Sequence, residues 1–237
     1  MYPGIEIWDL DVIDAVEPVA TLGGYEDEDI RGGGDGSEGD GSEDEDENAS
    51  ASAGKNKSKK KRTSVAKKKK KASAKKKPAL KSDSHTDAVL GMSWNAQYRN
   101  VLASASADHT VRVWDISTQK SQHVLTHHTG KVQVAEWNPA EPTVLLSGGF
   151  DKRACVVDVR APAKAAMAWD VGADVECAVW NLGSPTSFLV SNENGAVLCL
   201  DTRKGGSSAP TFTLAAHEKA TTSLSLCPGA PELLLTC

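Results

Sequence analysis

A Trp-Asn pair recurs at Trp94-Asn95, Trp137-Asn138 and Trp180-Asn181, each 43 residues after the last. Other columns keep the same step: His85 and His128, Ser104 and Ser147, Asp108 with Asp151 and then Asn194, and Asp115 with Asp158 and Asp201. Self-similarity of this length predicts stacked copies of one supersecondary unit, each too small to bury its own apolar face and so packed against its neighbour.

Within one copy, alternation and turn residues predict strands throughout. Val89 to Trp94 is an apolar-rich run, and Val101 to Ser106 is a second. Ala107 to Thr110 reads as a tight turn, since Asp108 tolerates left-handed backbone and its carboxylate can accept amides two residues on. Val111 to Trp114 alternates β-branched and polar residues as a third strand, and His123 to Thr126 is a weaker fourth.

The segments HTDAVLGMSW, VLASASADHT and VRVWD, from His85 to Asp115, resemble the WD-repeat family. That resemblance implies an all-β β-propeller in which each repeat supplies four strands of a blade. It also implies a hydrogen-bonded brace of His85, Ser104 (with Ser106 as the alternative), Asp108 and Trp114, repeated at His128, Ser147 and Asp151. The brace thins along the chain. Val157 stands in the tryptophan column of the second repeat, Val171 replaces the histidine of the third and Asn194 its aspartate, so these blades are expected to rely on apolar packing. A last repeat opens at His217. The regular first-strand tryptophans, the segment FDKRACVVDVR from Phe150 to Arg160 and the charged insertion look like the periodic-tryptophan subfamily. Its members are nuclear and nucleolar proteins linked to ribosomal RNA processing and ribosome assembly.

Three regions are expected. Residues 1–24 end one blade, with IEIWDL mirroring VRVWDI. Residues 25–83 form a disordered acidic-then-basic insertion, and 84–237 hold three repeats and the start of another. A closed seven-bladed ring needs on the order of 300 residues for blades alone, so 237 residues are expected to be a fragment with an incomplete propeller, unless the missing blades come from elsewhere.

Charge divides the chain sharply. Glu26 to Glu47 holds 12 acidic residues against one arginine, and Lys55 to Lys81 holds 15 basic residues and no acid. Neither block has the apolar surface to offset the entropy of ordering. One reading is a solubilising linker. The other is an address and landing pad: Lys59, Lys60, Lys61, Arg62, Lys67, Lys68, Lys69, Lys70 and Lys71 match basic clusters read by an import receptor, and could contact phosphates by counterion release. With no aromatics among them, RNA binding there would be non-specific. The acidic block could attract histones or basic ribosomal proteins. Ser37 and Ser42, followed by acids, are candidate phosphorylation sites. Outside residues 25–81 the net charge is −9, so the blades themselves are not expected to bind nucleic acid generally.

No catalytic, cofactor or metal site is predicted. His127 and His128, if on a strand, would point to opposite faces and could not share an ion. Cys155, Cys177 and Cys199 recur at half the repeat and read as core thiols. There is no nucleophile elbow, phosphate-binding loop or long apolar run, so no small-molecule substrate and no membrane are expected. Trp94, Trp137 and Trp180 read as packing residues between blades, with an aromatic methyl-lysine or peptide cage as the competing reading. Trp169, off the columns, reads as an exposed anchor for a partner. The whole points to a non-catalytic nuclear scaffold working with proteins of pre-ribosomal particles; the alternative is a chromatin module that binds histone tails.

Overall fold

In the computed structural model, residues 3–11, 17–26, 79–161, 166–206 and 208–237 are described. The chain opens with a two-stranded ladder, β1 (Ile5–Ile7) against β2 (Ala20–Leu22). Three four-stranded antiparallel sheets follow in the order of the chain. The first is β3 (Val89–Trp94), β4 (Val101–Ser106), β5 (Val111–Asp115) and β6 (Lys120–Leu125). The second is β7 (Val132–Trp137), β8 (Val144–Gly149), β9 (Arg153–Asp158) and β10 (Met167–Asp170). The third is β11 (Val175–Trp180), β12 (Ser187–Asn192), β13 (Ala196–Asp201) and β14 (Phe212–Ala215). A second two-stranded ladder, β15 (Leu224–Cys227) with β16 (Ala230–Thr236), comes last. Among the described residues there is no α-helix, only a 3-10 turn at Thr202–Lys204.

Each sheet is a blade, and the 43-residue step is visible in its backbone. The first strand of every blade carries a register shift at the same place, between Val89 and Gly91, Val132 and Val134, and Val175 and Cys177. The turn between second and third strands holds one left-handed residue each time: His109 at φ 69°, Lys152 at φ 63° and Gly195 at φ 78°. That residue follows Asp108, Asp151 or Asn194 in turn. Only Gly195 has no freedom to change, because a Cβ there would lie against the His217 carbonyl.

The core sits between blades. Ala103, Val111 and Leu125 of the first meet Val132, Trp137 and Leu145 of the second. Leu146, Val156 and Trp169 of the second meet Val175, Trp180 and Phe188 of the third. Smaller clusters join Ile5 and Leu22 to Leu102 and Trp114, and Leu189 and Val197 to Leu224. Second strands such as SFLVSN are buried along their whole length because both faces are covered.

Compact packing unites Met1–Glu26 with Ala79–Cys237. The chain leaves and re-enters this unit at one point, where Tyr25 and Leu80 pair as an isolated antiparallel bridge, flanked by Glu26 N–H to Ala79 O (2.7 Å) and Lys81 N–H to Gly24 O (2.9 Å). The expected disorder of the insertion, the basic residues Lys59 to Arg62 and Lys67 to Lys71, and Ser37 and Ser42 lie outside the described residues.

Candidate functional site

In the first blade four side chains form one hydrogen-bonded path. His85 Nδ1 lies 2.9 Å from Asp108 Oδ2, His85 Nε2 lies 2.7 Å from Ser104 Oγ, and Trp114 Nε1 lies 2.8 Å from the same oxygen. A carboxylate only accepts, so His85 Nδ1–H donates to Asp108 and its Nε2 accepts a hydrogen bond from the Ser104 hydroxyl. Ser104 then accepts from the indole N–H, and every group is satisfied. Burial works to raise the Asp108 carboxyl, but hydrogen bonds from His85, Thr110 and the Thr86 amide outweigh it and hold that carboxyl far below its ordinary range. Ser106, the alternative brace serine, instead donates to Ala88 O at 2.8 Å.

The second blade repeats the path with one change of donor. His128 Nδ1 lies 3.0 Å from both Asp151 oxygens and its Nε2 lies 2.9 Å from Ser147 Oγ. Val157 has no N–H to give, and His127 Nε2 takes the vacated place, 2.9 Å from Ser147 Oγ. His127 and His128 therefore converge on one hydroxyl, with ring centroids 4.7 Å apart. The expectation that they point to opposite faces fails because they sit in the loop before β7, where strand alternation does not apply. Their nitrogens and Cys155 Sγ all lie within 4.8 Å of one another, so the premise behind predicting no metal ligands there also fails. Burial, with a smaller contribution from His128, pushes the His127 imidazole down to about 4.

Nor does the third blade depend on apolar packing alone. Asn192, buried at the end of β12, donates through Nδ2 to Val171 O (3.0 Å) and accepts from the Asn194 and Ala196 amides. One side chain thus ties the loop to the turn where the histidine and aspartate are missing. The last repeat keeps a reduced version, His217 Nε2 to Thr236 Oγ1 at 3.0 Å.

The recurring Trp-Asn pair stitches blades in both directions. Trp137 Nε1 donates back to Ser93 O (3.2 Å) and Trp180 Nε1 to Glu136 O (3.1 Å). Asn95 Nδ2 reaches forward to Pro142 O (2.7 Å) and Asn138 Nδ2 to Pro185 O (2.8 Å), while each Asn Oδ1 accepts two amides of its own turn.

A family model described as "WD domain, G-beta repeat" matches residues 76–115, which hold β3 to β5, and 119–158, which hold β6 to β9. These two segments are WD repeats. Its relatives include an uncharacterized WD repeat-containing protein of Schizosaccharomyces pombe, 35% identical over 116 residues, which are 49% of this chain and 14% of the relative. Periodic tryptophan protein 1 of Saccharomyces cerevisiae is 52% identical over 44 residues, 19% of this chain and 8% of that protein. The Periodic tryptophan protein 1 homolog of Drosophila melanogaster is 25% identical over 126 residues, 53% and 17% respectively. The matches thus span less than a fifth of each relative's own length.

Two tryptophans depart from expectation. Trp94 is 50% exposed, whereas Trp137 and Trp180 are buried, because no first strand of a preceding blade stands before it among the described residues. Its indole N–H turns instead to Arg99 O of its own blade (2.8 Å). Trp94, Met92, Trp8 and Ile7 line a groove of about 320 Å³ beside β1. Trp169 is not an exposed anchor. Only 1% exposed, it packs edge-on to Phe188 at 5.1 Å. Its strand, β10, is the edge of the second sheet, and the Trp169 side chain enters the core shared with the third, a position that the columns did not reveal.

The buried side-chain hydrogen bonds lie within blades at the braces and between blades at the Trp-Asn pairs. Cys155 is buried in β9 with its thiol pushed up to about 12 by burial, which makes it a poor nucleophile. Glu136, on β7, is pushed up to about 7 by burial. All five cysteines are free.

Proposed function

We propose that this chain is a non-catalytic WD-repeat scaffold that assembles proteins of pre-ribosomal particles in the nucleus and nucleolus, acting in ribosomal RNA processing. The observation that carries this reading is the similarity to Periodic tryptophan protein 1 from two organisms, together with Trp-Asn columns at every blade. It is supported by the braces, in which the polar side chains at the centres of the blades bond to one another. In this reading residues 1–24 and 84–237 are the blades, and 25–83 is an insertion presenting a lysine-rich import signal and non-specific RNA contact, with Ser37 and Ser42 as phosphate acceptors. The propeller takes no cofactor and supplies rim and loop surfaces to partners.

The test is recovery of the tagged protein from nuclear extract. Enrichment of pre-ribosomal RNA and assembly proteins over nucleosomes is expected. Enrichment of nucleosomes with no pre-ribosomal RNA would favour histone binding through the acidic block, and a turnover activity surviving purification would end the non-catalytic reading.

A further inference from the structure

We propose that His127, His128 and Cys155 form a binding site for one zinc-type divalent ion inside the second blade, with Asp151 orienting His128 from behind. The three donor atoms lie within 4.8 Å of one another. A tetrahedral zinc ion needs them about 3.3–3.6 Å apart, as its bonds of about 2.0–2.3 Å to nitrogen and sulfur require. That contraction is within reach of side-chain rotation, since both histidines lie in a loop and Ser147 pairs directly with Cys155 across β8 and β9. Ser147 Oγ, already 2.9 Å from both Nε2 atoms, stands ready as an oxygen donor for the fourth position.

Two further observations favour an ion over a purely structural cluster. His128 donates its Nδ1–H to the Asp151 carboxylate, with Nε2 aimed at the cluster; carboxylate–histidine pairing of this kind is the usual support of a metal-bound imidazole. The blade fold does not itself demand these residues. The first blade has Ser84 and Arg112 at the positions of His127 and Cys155, and the third has Asp170, Val171 and Leu198 for the trio.

Charge selects the class of ion. With a dication, the Cys155 thiolate and the Asp151 carboxylate sum to zero, as a buried site requires, whereas a monovalent ion would leave one negative charge uncompensated. Two imidazoles and one thiolate suit zinc rather than magnesium or calcium, which take oxygen. On binding, the Cys155 S–H bond breaks as the sulfur–metal bond forms and the proton leaves to solvent. His127 moves its own proton from Nε2 to Nδ1, with no net change.

The experiment is a titration of the full chain, stripped with chelator, by cobalt(II) and then by zinc. Expected are a thiolate-to-cobalt charge-transfer band with tetrahedral d–d bands at one equivalent, displacement by zinc, and one proton released per zinc from the unsubstituted chain. Cys155→Ser should abolish the charge-transfer band, and His127→Ser should weaken binding at least ten-fold. Replacing the exposed Cys227 and Cys237 by serine should change nothing. The proposal is overturned if the unsubstituted chain gives no charge-transfer band and no proton release, a result that needs no variant to fold. It is equally overturned if the band survives in folded Cys155→Ser. In either case His127 is only the N–H donor to Ser147.

Discussion

His127 Nε2 lies 2.9 Å from Ser147 Oγ, in the place that the Trp114 indole N–H holds at 2.8 Å from Ser104 in the preceding blade. The serine hydroxyl gives its one proton to the brace histidine and needs a donor from elsewhere. A tryptophan on the third strand supplies it in one blade, and a histidine in the loop supplies it in the next. The second brace has therefore changed its donor rather than lost a member.

Because burial lowers His127, its titration makes stability depend on pH. The unfolded chain takes up the proton near 6.5 and the folded chain only near 4, so stability is full above 6.5 and falls as pH drops through that window. The loss should total about 2–3 kcal/mol, since each pK unit is worth about 1.4 kcal/mol and some screening remains. His127→Gln keeps an N–H donor but cannot titrate. Urea unfolding at pH 7.5 and 4.5 should show a smaller loss in the variant by that amount; equal losses would rule the mechanism out.

Glu136 should act in the opposite sense. Its folded carboxyl ionises near 7 against an ordinary 4.5, so stability declines as pH rises through that range. Glu136→Gln is expected to raise the melting temperature at pH 8 and leave it nearly unchanged at pH 4.5. A variant no more stable at pH 8 would mean that water reaches the carboxylate.

The forward stitch should be measurable by comparing two asparagines of the same column. Asn138→Ala removes the bond to Pro185 O and two turn acceptors, and should cost about 1–3 kcal/mol. Asn181 accepts from the Gly183 amide, so its alanine variant should cost less than about 1 kcal/mol. Equal costs in denaturant unfolding would assign the effect to the turn and not to the inter-blade bond.

Trp114 and Trp94 should differ more sharply still. Trp114 is fully buried, and Trp114→Ala should destabilise by about 3–5 kcal/mol. Trp94 is half exposed, so Trp94→Ala should cost about 1 kcal/mol in the free protein and show its effect in partner binding. A large stability loss from Trp94→Ala would show that its groove is closed in solution.

Under the proposed function, replacing Lys59, Lys60, Lys61, Arg62 and Lys67 to Lys71 by alanine should shift the protein to the cytoplasm and reduce RNA retention. Nine lost cations can lower the log–log salt slope of single-strand binding by up to about 0.7 each. Unchanged localisation with an unchanged slope would reduce the block to a solvated linker.

Much of the fold was legible because it is written in local pattern, 43 residues apart. Val89 to Trp94, Val101 to Ser106 and the Asp108 turn are where alternation and turn chemistry place them, and the third strands of all three blades follow from the same columns. Side chains that meet by spacing along one repeat, such as His85, Ser104 and Asp108, could be named together for the same reason. What needed the tertiary structure was contact between residues outside those columns. His127 could be read as the donor to Ser147 only once the loop was seen to turn both rings inward, although an extra histidine beside His128 in the repeat that lacks its tryptophan was the available signal. Trp169 and Trp94 exchanged their expected environments because burial depends on the sheet that stands opposite, and no periodicity within one strand specifies that sheet. Local sequence determines which strands form and how they turn; the neighbouring blade decides which of their side chains meet.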